Sequence, residues 1–281
     1  MTLITAAVLA DNHALKAPFM AEHGFSVLLQ TASRVTLFDT GCSNLFERNA
    51  ARMHFELYDI GAIAVSHGHY DHTSGLPQAL LAAPASQLYL HPAALFPKYH
   101  HDDNGKMRAI GIPEASLHAV KQAEADHRLR LVDTPTAALD DHTLLFLSEG
   151  RSFLPPDWRF YTGDATGAVA ADRFDGELSL LHIGDHGSLL VVGCAHTGIA
   201  ALIAAAERLS PQPLRTVLGG SHIDHAPDAE LDDLATFLAA RPDLDLYLGH
   251  CTGIDGFSRL YCRLPNRLHP LAAGMVLEFD L

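Results

Sequence analysis

His67, His69, Asp71 and His72 place four side chains able to bind a metal ion within six residues. In an extended or tightly turned segment alternate residues share a face, so His67 and His69 can grip one ion. Asp71 and His72 then reach a second position. Gly68 between the first two lets the backbone pass close to the metal. Imidazole and carboxylate donors suit zinc first, with iron or manganese as alternatives. Such a site activates water: bound cations lower its pKa and polarise the group under attack.

These ligands need a framework to hold them. Residues 60–65 form an apolar run expected to be a buried strand, and it delivers Ser66 and His67 at its end. Further strands are expected at 26–29 and 34–38 (a pair), 87–90, 159–162, 178–183, 188–192, 216–218 and 244–248. Helices are expected at 44–55, 76–81, 199–209 and 230–240. One device recurs: a short apolar strand, one or more small residues, then a histidine. It yields His67, His196 (Gly193-Cys194-Ala195-His196), His222 (Gly219-Gly220-Ser221-His222) and His250 (Gly249-His250-Cys251). Strand ends are where α/β proteins gather functional groups, and both halves of the chain supply them. The pattern predicts two half-domains facing one site within a single domain, residues 1–281. Between about 94 and 152 the periodicity blurs, and an insertion is expected there.

Hydrophobic residues make up 48% of the chain, enough for a substantial core, and the formal net charge is −14. That balance argues against nucleic acid or an anionic membrane as a partner, because both need clustered Lys and Arg. A small anionic substrate stays compatible, since a bound metal supplies local positive charge. The four cysteines contain no CxxC pair, so neither a disulfide framework nor a structural zinc knuckle is expected, and a reducing, cytoplasmic setting is. The apolar opening segment lacks basic residues and reads as a first strand rather than a signal peptide. No run is long enough to span a bilayer.

Ser66-His67-Gly68-His69-Tyr70-Asp71-His72 behind an apolar strand, with Leu37-Phe38-Asp39-Thr40-Gly41 upstream, resembles the hallmark of the metallo-β-lactamase superfamily. Asp11-Asn12, Glu22-His23-Gly24-Phe25-Ser26 and the Gly-Cys-Ala-His, Gly-Gly-Ser-His and Gly-His-Cys-Thr-Gly blocks are similar to the branch of dihydropterin-methyl-ribofuranosylaminobenzene 5′-phosphate synthase-like hydrolases. The resemblance implies an α+β fold, a four-layer αββα sandwich, and a metal-dependent hydrolase acting on a small anionic or phosphorylated molecule. It implies His67, His69 and His196 at one ion, and Asp71, His72 and His250 at another. Asp71 would also accept a hydrogen bond from the nucleophile, and His250 would lie near the leaving group. Many members carry a bridging Asp where this chain has Ser221-His222. His222 is therefore a candidate ligand in its place, with Asp164 ranked behind it. Two other readings share the fold: a non-catalytic metal-binding sensor, and an iron redox protein, which normally needs a fused flavin domain.

Several residues carry a functional and a plain reading together. Asp39 either orients a ligand histidine or closes a turn. Glu22 and His23 either face substrate or pack in a loop. Cys194 and Cys251 are expected as small packing residues. Asp172, Asp175 and Glu177 are expected on a solvated loop, as are Lys98, Tyr99, Lys106 and Arg108, whose alternative role is anion contact. His91, His100, His101, His118, His127 and His142 are expected at the surface or in packing, and His182, His186, His225 and His269 have no spacing partner.

Overall fold

Short apolar runs become strands here, and wherever two neighbouring strands must run parallel the chain inserts a helical crossover. The computed structural model describes residues 3–102, 104–151, 158–164 and 168–281. β1 (Leu3–Ala10), β2 (Ser26–Gln30) and β3 (Val35–Phe38) form an antiparallel meander, with β18 (Val276–Asp280) added outside β1. β4 (Ile60–Ala64), β5 (Gln87–Leu90) and β8 (Leu129–Leu131) continue parallel to β3. Their crossovers carry α1 (Leu45–Arg52), α2 (Tyr70–Thr73), α3 (Leu76–Ala82) and α4 (Glu114–Ala125).

The second sheet repeats this plan. β9 (Thr136–Ala138), β10 (Thr143–Leu147), β13 (Leu178–Ile183) and β14 (Ser188–Val192) are antiparallel neighbours. β15 (Leu214–Gly219), β16 (Asp245–Leu248) and β17 (Leu268–Pro270) continue parallel to β14. The crossovers here carry α5 (Ile199–Leu209), α6 (Asp228–Ala239) and α7 (Ile254–Tyr261).

Alternation along the strands makes three apolar layers from two sheets. On β14, Leu189 and Val191 enter the core between the sheets, while Leu190 and Val192 face the helical side with Leu202, Leu231 and Leu260. On β4, Ala62 and Ala64 face the other sheet, and Ile63 packs outward with Phe46, Leu76 and Val120. One core between the sheets and one under each helical layer is the αββα sandwich expected from the sequence.

The segment expected as an insertion is shared among three sheets. It adds α4 and β8 to the first half and β9 and β10 to the second. Its β6 (Lys98–His101) and β7 (Met107–Ala109) join β11 (Phe160–Gly163) and β12 (Val169–Ala171) in a separate antiparallel sheet, ordered β12-β11-β6-β7. The sequence blurs here because most of these strands are only three or four residues long. The inward face of α4 is also small and mixed, with Ser116, Val120 and Ala123 buried. No helix among the described residues is long and apolar enough to cross a membrane.

Candidate metal centre

The ends of β3, β4, β14, β15 and β16 meet at one edge of the sandwich and bring Asp39, His67, His196, His222 and His250 together. His67 and His69 leave β4 on a turn that passes tightly under Ala94. A methyl group at Gly68 would collide with the Ala94 carbonyl oxygen, so only glycine fits. The chain enters α2 directly afterwards, which turns Asp71 and His72 back toward the same cavity. Asp39, Ala195, His222 and His250 have φ of +60°, +55°, +51° and +49°, a left-handed backbone unfavourable for side-chain-bearing residues. Backbone bonds to buried carboxylates hold two of these bends. Asp11 Oδ2 accepts from His250 N at 2.9 Å, and Glu177 accepts from His196 N at 2.8 Å and Thr197 N at 2.9 Å.

Hydrogen bonds around the rim fix how the imidazoles point. Ser66 donates its hydroxyl to Asp39 Oδ2 at 2.7 Å, so its oxygen is left to accept from His67 Nδ1 at 2.9 Å. His72 Nδ1 donates to Asp39 Oδ2 at 2.7 Å, and His250 Nδ1 to Asn12 Oδ1 at 3.0 Å. With their Nδ1 hydrogens committed, His67, His72 and His250 turn Nε2 inward. There His67 Nε2 lies 2.9 Å from His69 Nδ1, and His72 Nε2 lies 3.1 Å from His250 Nε2. His69 can donate its Nδ1 hydrogen to His67 Nε2, but with both Nδ1 hydrogens committed the His72–His250 pair needs a cation between its Nε2 atoms, a proton or a metal. Among the described residues neither ring nitrogen of buried His196 has a hydrogen-bond partner. This donor chemistry fits a metal.

One donor group has the expected membership and a second overlaps the other expected set, with His23 in the place of His72, which groups instead with His67 and Cys194. His67, His69 and His196 have ligand atoms within 4.8 Å of one another, and so do His23, Asp71 and His250. Asp71 Oδ2 lies 3.8 Å from His72 Nε2, 3.5 Å from His250 Nε2 and 3.3 Å from His23 Nε2. His23 therefore lies against the site, whereas Glu22 accepts from Cys42 N at 2.8 Å and holds the loop ahead of α1.

The family model of the metallo-beta-lactamase superfamily matches residues 20–250. The chain belongs to the metallo-β-lactamase superfamily. An uncharacterized protein of Methanocaldococcus jannaschii is 27% identical over 259 residues, covering 90% of this chain and 92% of the relative. The 7,8-dihydropterin-6-methyl-4-(beta-D-ribofuranosyl)-aminobenzene-5′-phosphate synthase of the same organism is 22% identical over 301 residues, covering 96% of this chain and 95% of the synthase. The crystal structure of a metal-dependent hydrolase of the β-lactamase superfamily superposes with a TM-score of 0.82 at 23% identity, covering 99% of this chain and all of that one. The metallo-β-lactamase fold implies binding of divalent metal, and the clustered donors agree with it.

Within that superfamily frame several side chains stand where the sequence did not put them. His222 groups with Cys194 and Cys251 rather than with Asp71. The two cysteines are not simple packing residues, since Cys194 Sγ lies 3.2 Å from His72 Nε2. Asp164 is exposed at the β11–β12 turn, where it accepts from Ala168 N at 3.0 Å. Asp172 and Glu177 are buried instead of solvated. Asp172 pairs with buried Lys98 at 2.8 Å, which removes Lys98 from the solvated loop. Glu177 also accepts from Thr197 Oγ1 at 2.7 Å, locking the turn that aims His196. Its spacing from His196 carries no local signal, so sequence reasoning had no means of finding it. The additional sheet and its flank supply an aromatic wall: Phe174 stacks on His196 with ring centroids 3.9 Å apart, and Phe160 on His69 at 5.7 Å. Asp39 takes the orienting role.

Burial, reinforced by neighbouring positive charge, holds His67, His69, His196 and His250 well below the usual imidazole value. Burial acts the same way on His72, but Asp39 and Asp71 outweigh it and raise His72 to about 9. Burial raises Asp11 to about 7 and lifts Glu177 as well. In metal-free protein the four depressed imidazoles bind fewer protons than the unfolded chain below about pH 6.5, so stability falls on acidification. The two raised carboxyls oppose that trend, but four groups outnumber two. His72 contributes stability that is complete below about pH 6.5 and is lost as pH climbs through about 9. Burial would raise Cys251, but hydrogen bonds with Cys194 and His222 outweigh it and lower it to about 5, which offsets the His72 loss above about pH 6.5. Thermal melts of chelator-treated protein are therefore expected to fall most steeply on the acid side of about pH 6.5. A midpoint that rises steadily toward acid would contradict this charge balance.

Proposed function

We propose that this protein is a metal-dependent hydrolase that activates water at a mono- or dinuclear site, with zinc as the first-choice metal, on a small anionic or phosphorylated substrate. The observation that carries the reading is the pair of inward-facing imidazole contacts, His67–His69 and His72–His250, beside the His196 nitrogens, which have no hydrogen-bond partner among the described residues. His67, His69 and His196 would hold one ion; Asp71, His72 and His250 would hold the other. When bound, the metal supplies Lewis-acid polarisation and a nucleophile at neutral pH. Asp71 would accept a hydrogen bond from the attacking water, and His250 would lie near the leaving group. Ser66, Asp39 and Asn12 keep the imidazoles in one tautomer, and Phe160 and Phe174 exclude solvent from one side. The superfamily consists largely of metal-dependent hydrolases, and a phosphorylated product stands in the name of the synthase relative, which supports the substrate class. The net charge of −14 makes a polyanionic partner such as nucleic acid unfavourable.

Metal content of the purified protein, measured by inductively coupled plasma mass spectrometry, is the direct test. Between about one and two equivalents per chain are expected, falling sharply in a His67→Ala/His69→Ala variant. A phosphoester and lactone screen of the loaded protein then addresses substrate. Failure to bind zinc, manganese or iron(II) in any form would sink the hydrolase reading.

A further inference from the structure

Beyond the histidine–carboxylate donors, the same strand ends bring two thiols and one imidazole into contact. Cys194 follows β14, His222 follows β15 and Cys251 follows β16, yet their ligand atoms lie within 4.8 Å of one another. Ligands bound about 2.0–2.3 Å from one ion lie within about 4 Å of each other, so a small side-chain closure would suffice. The surroundings leave room for this cluster. A methyl group at Gly220 would run into the Cys251 sulfur, so the backbone here is bare where the thiol enters. The Cys251 thiol lies 3.5 Å from the Cys194 carbonyl oxygen and within reach of the Cys194 thiol and the His222 ring. His222 is held at φ +51° and its buried Nδ1 has no hydrogen-bond partner among the described residues. Three unrelated strand ends, one strained backbone and an orphaned ring nitrogen converge on one point.

We propose that Cys194, His222 and Cys251 form a thiolate–imidazole metal site beside the histidine cluster, which biases this protein toward zinc and other thiophilic cations over magnesium or manganese. The proposal rests on the metal-dependent reading above and adds to it the donor set that selects the metal. Soft thiolate donors select zinc, cobalt or cadmium, whereas carboxylate and water sites do not discriminate this way. Loading leaves both sulfurs as thiolates that offset the cation charge, and any thiol proton still held is released to solvent. Cys194 would stand between this ion and His72, 3.2 Å from its sulfur.

The test is cobalt(II) loading of reduced protein, followed by absorption spectroscopy. The expected result is a near-ultraviolet sulfur-to-cobalt charge-transfer band that disappears in both Cys194→Ser and Cys251→Ser and persists in Cys42→Ser. Zinc X-ray absorption on unaltered protein needs no variant and should show a sulfur scatterer at about 2.3 Å. Cobalt binding without the band, or zinc with only nitrogen and oxygen neighbours, would overturn this site while leaving the hydrolase reading intact. A band removed by Cys194→Ser but not by Cys251→Ser would also overturn it, since the thiolate would then belong with His67 and His72. No metal uptake at all would instead defeat the reading on which it rests.

Discussion

Replacing Asp39 by alanine is expected to cost about 3–5 kcal/mol of folding stability, the range for removing one partner of a buried charged pair. Asp39 is completely buried and accepts three bonds at 2.7 Å, from Ser66 N, Ser66 Oγ and His72 Nδ1. Losing it strands two donors and the His72 ring, and it puts alanine at φ +60°. Asp39→Asn separates these causes, because asparagine tolerates the left-handed backbone but turns an amide against a donor. Urea unfolding of metal-free protein measures the stability change. Zinc titration of the same variants should show affinity reduced by about 10–100-fold, as for other residues that orient a metal-binding histidine. If Asp39→Ala unfolded within about 0.5 kcal/mol of the parent, the carboxylate would not be what positions His72.

Removal of metal is the second large effect. A ligand that binds only the folded state at a thousandfold excess over its Kd adds about 4 kcal/mol. Chelator treatment should therefore lower the unfolding free energy by about that amount, and re-addition of zinc should restore it. The His67→Ala/His69→Ala variant should show a smaller response to either treatment, whereas His225→Ala, with its side chain 96% exposed, should respond as the parent does. The physical reason is the crowding of imidazoles whose ring nitrogens face one another at 2.9 and 3.1 Å. An unchanged melting curve on chelation would mean that the cluster is stable without a cation.

The motif from His67 to His72 was legible because its ligands are local, and alternation and turn geometry act over a few residues. The long strands were legible for the same reason, since β13 and β14 bury nearly every residue. α4 and the three-residue strands were not, because their buried faces are too short or too polar to leave a period. Glu177 looked like one more acid on a loop, and no local pattern marks it as the support for the turn at His196. Lys98 and Asp172 lie 74 residues apart in sequence, so their buried pairing depends on β6 meeting β11 and the chain beyond β12.

By itself, then, the sequence determined the identity of the histidines offered at strand ends, which depends on short-range spacing, while the superfamily and its layered αββα plan came from the resemblance that its motif carries. Tertiary structure decided how those histidines are grouped. It set His222 with Cys194 and Cys251, left Asp164 on an exposed turn, drew His23 toward Asp71 and assigned Asp39 to His72. Such groupings depend on strand order across the second sheet and on the left-handed bends that follow β14, β15 and β16. A difference of one residue in where a strand ends redirects a side chain to the opposite face, and that is settled by packing between layers rather than by local spacing.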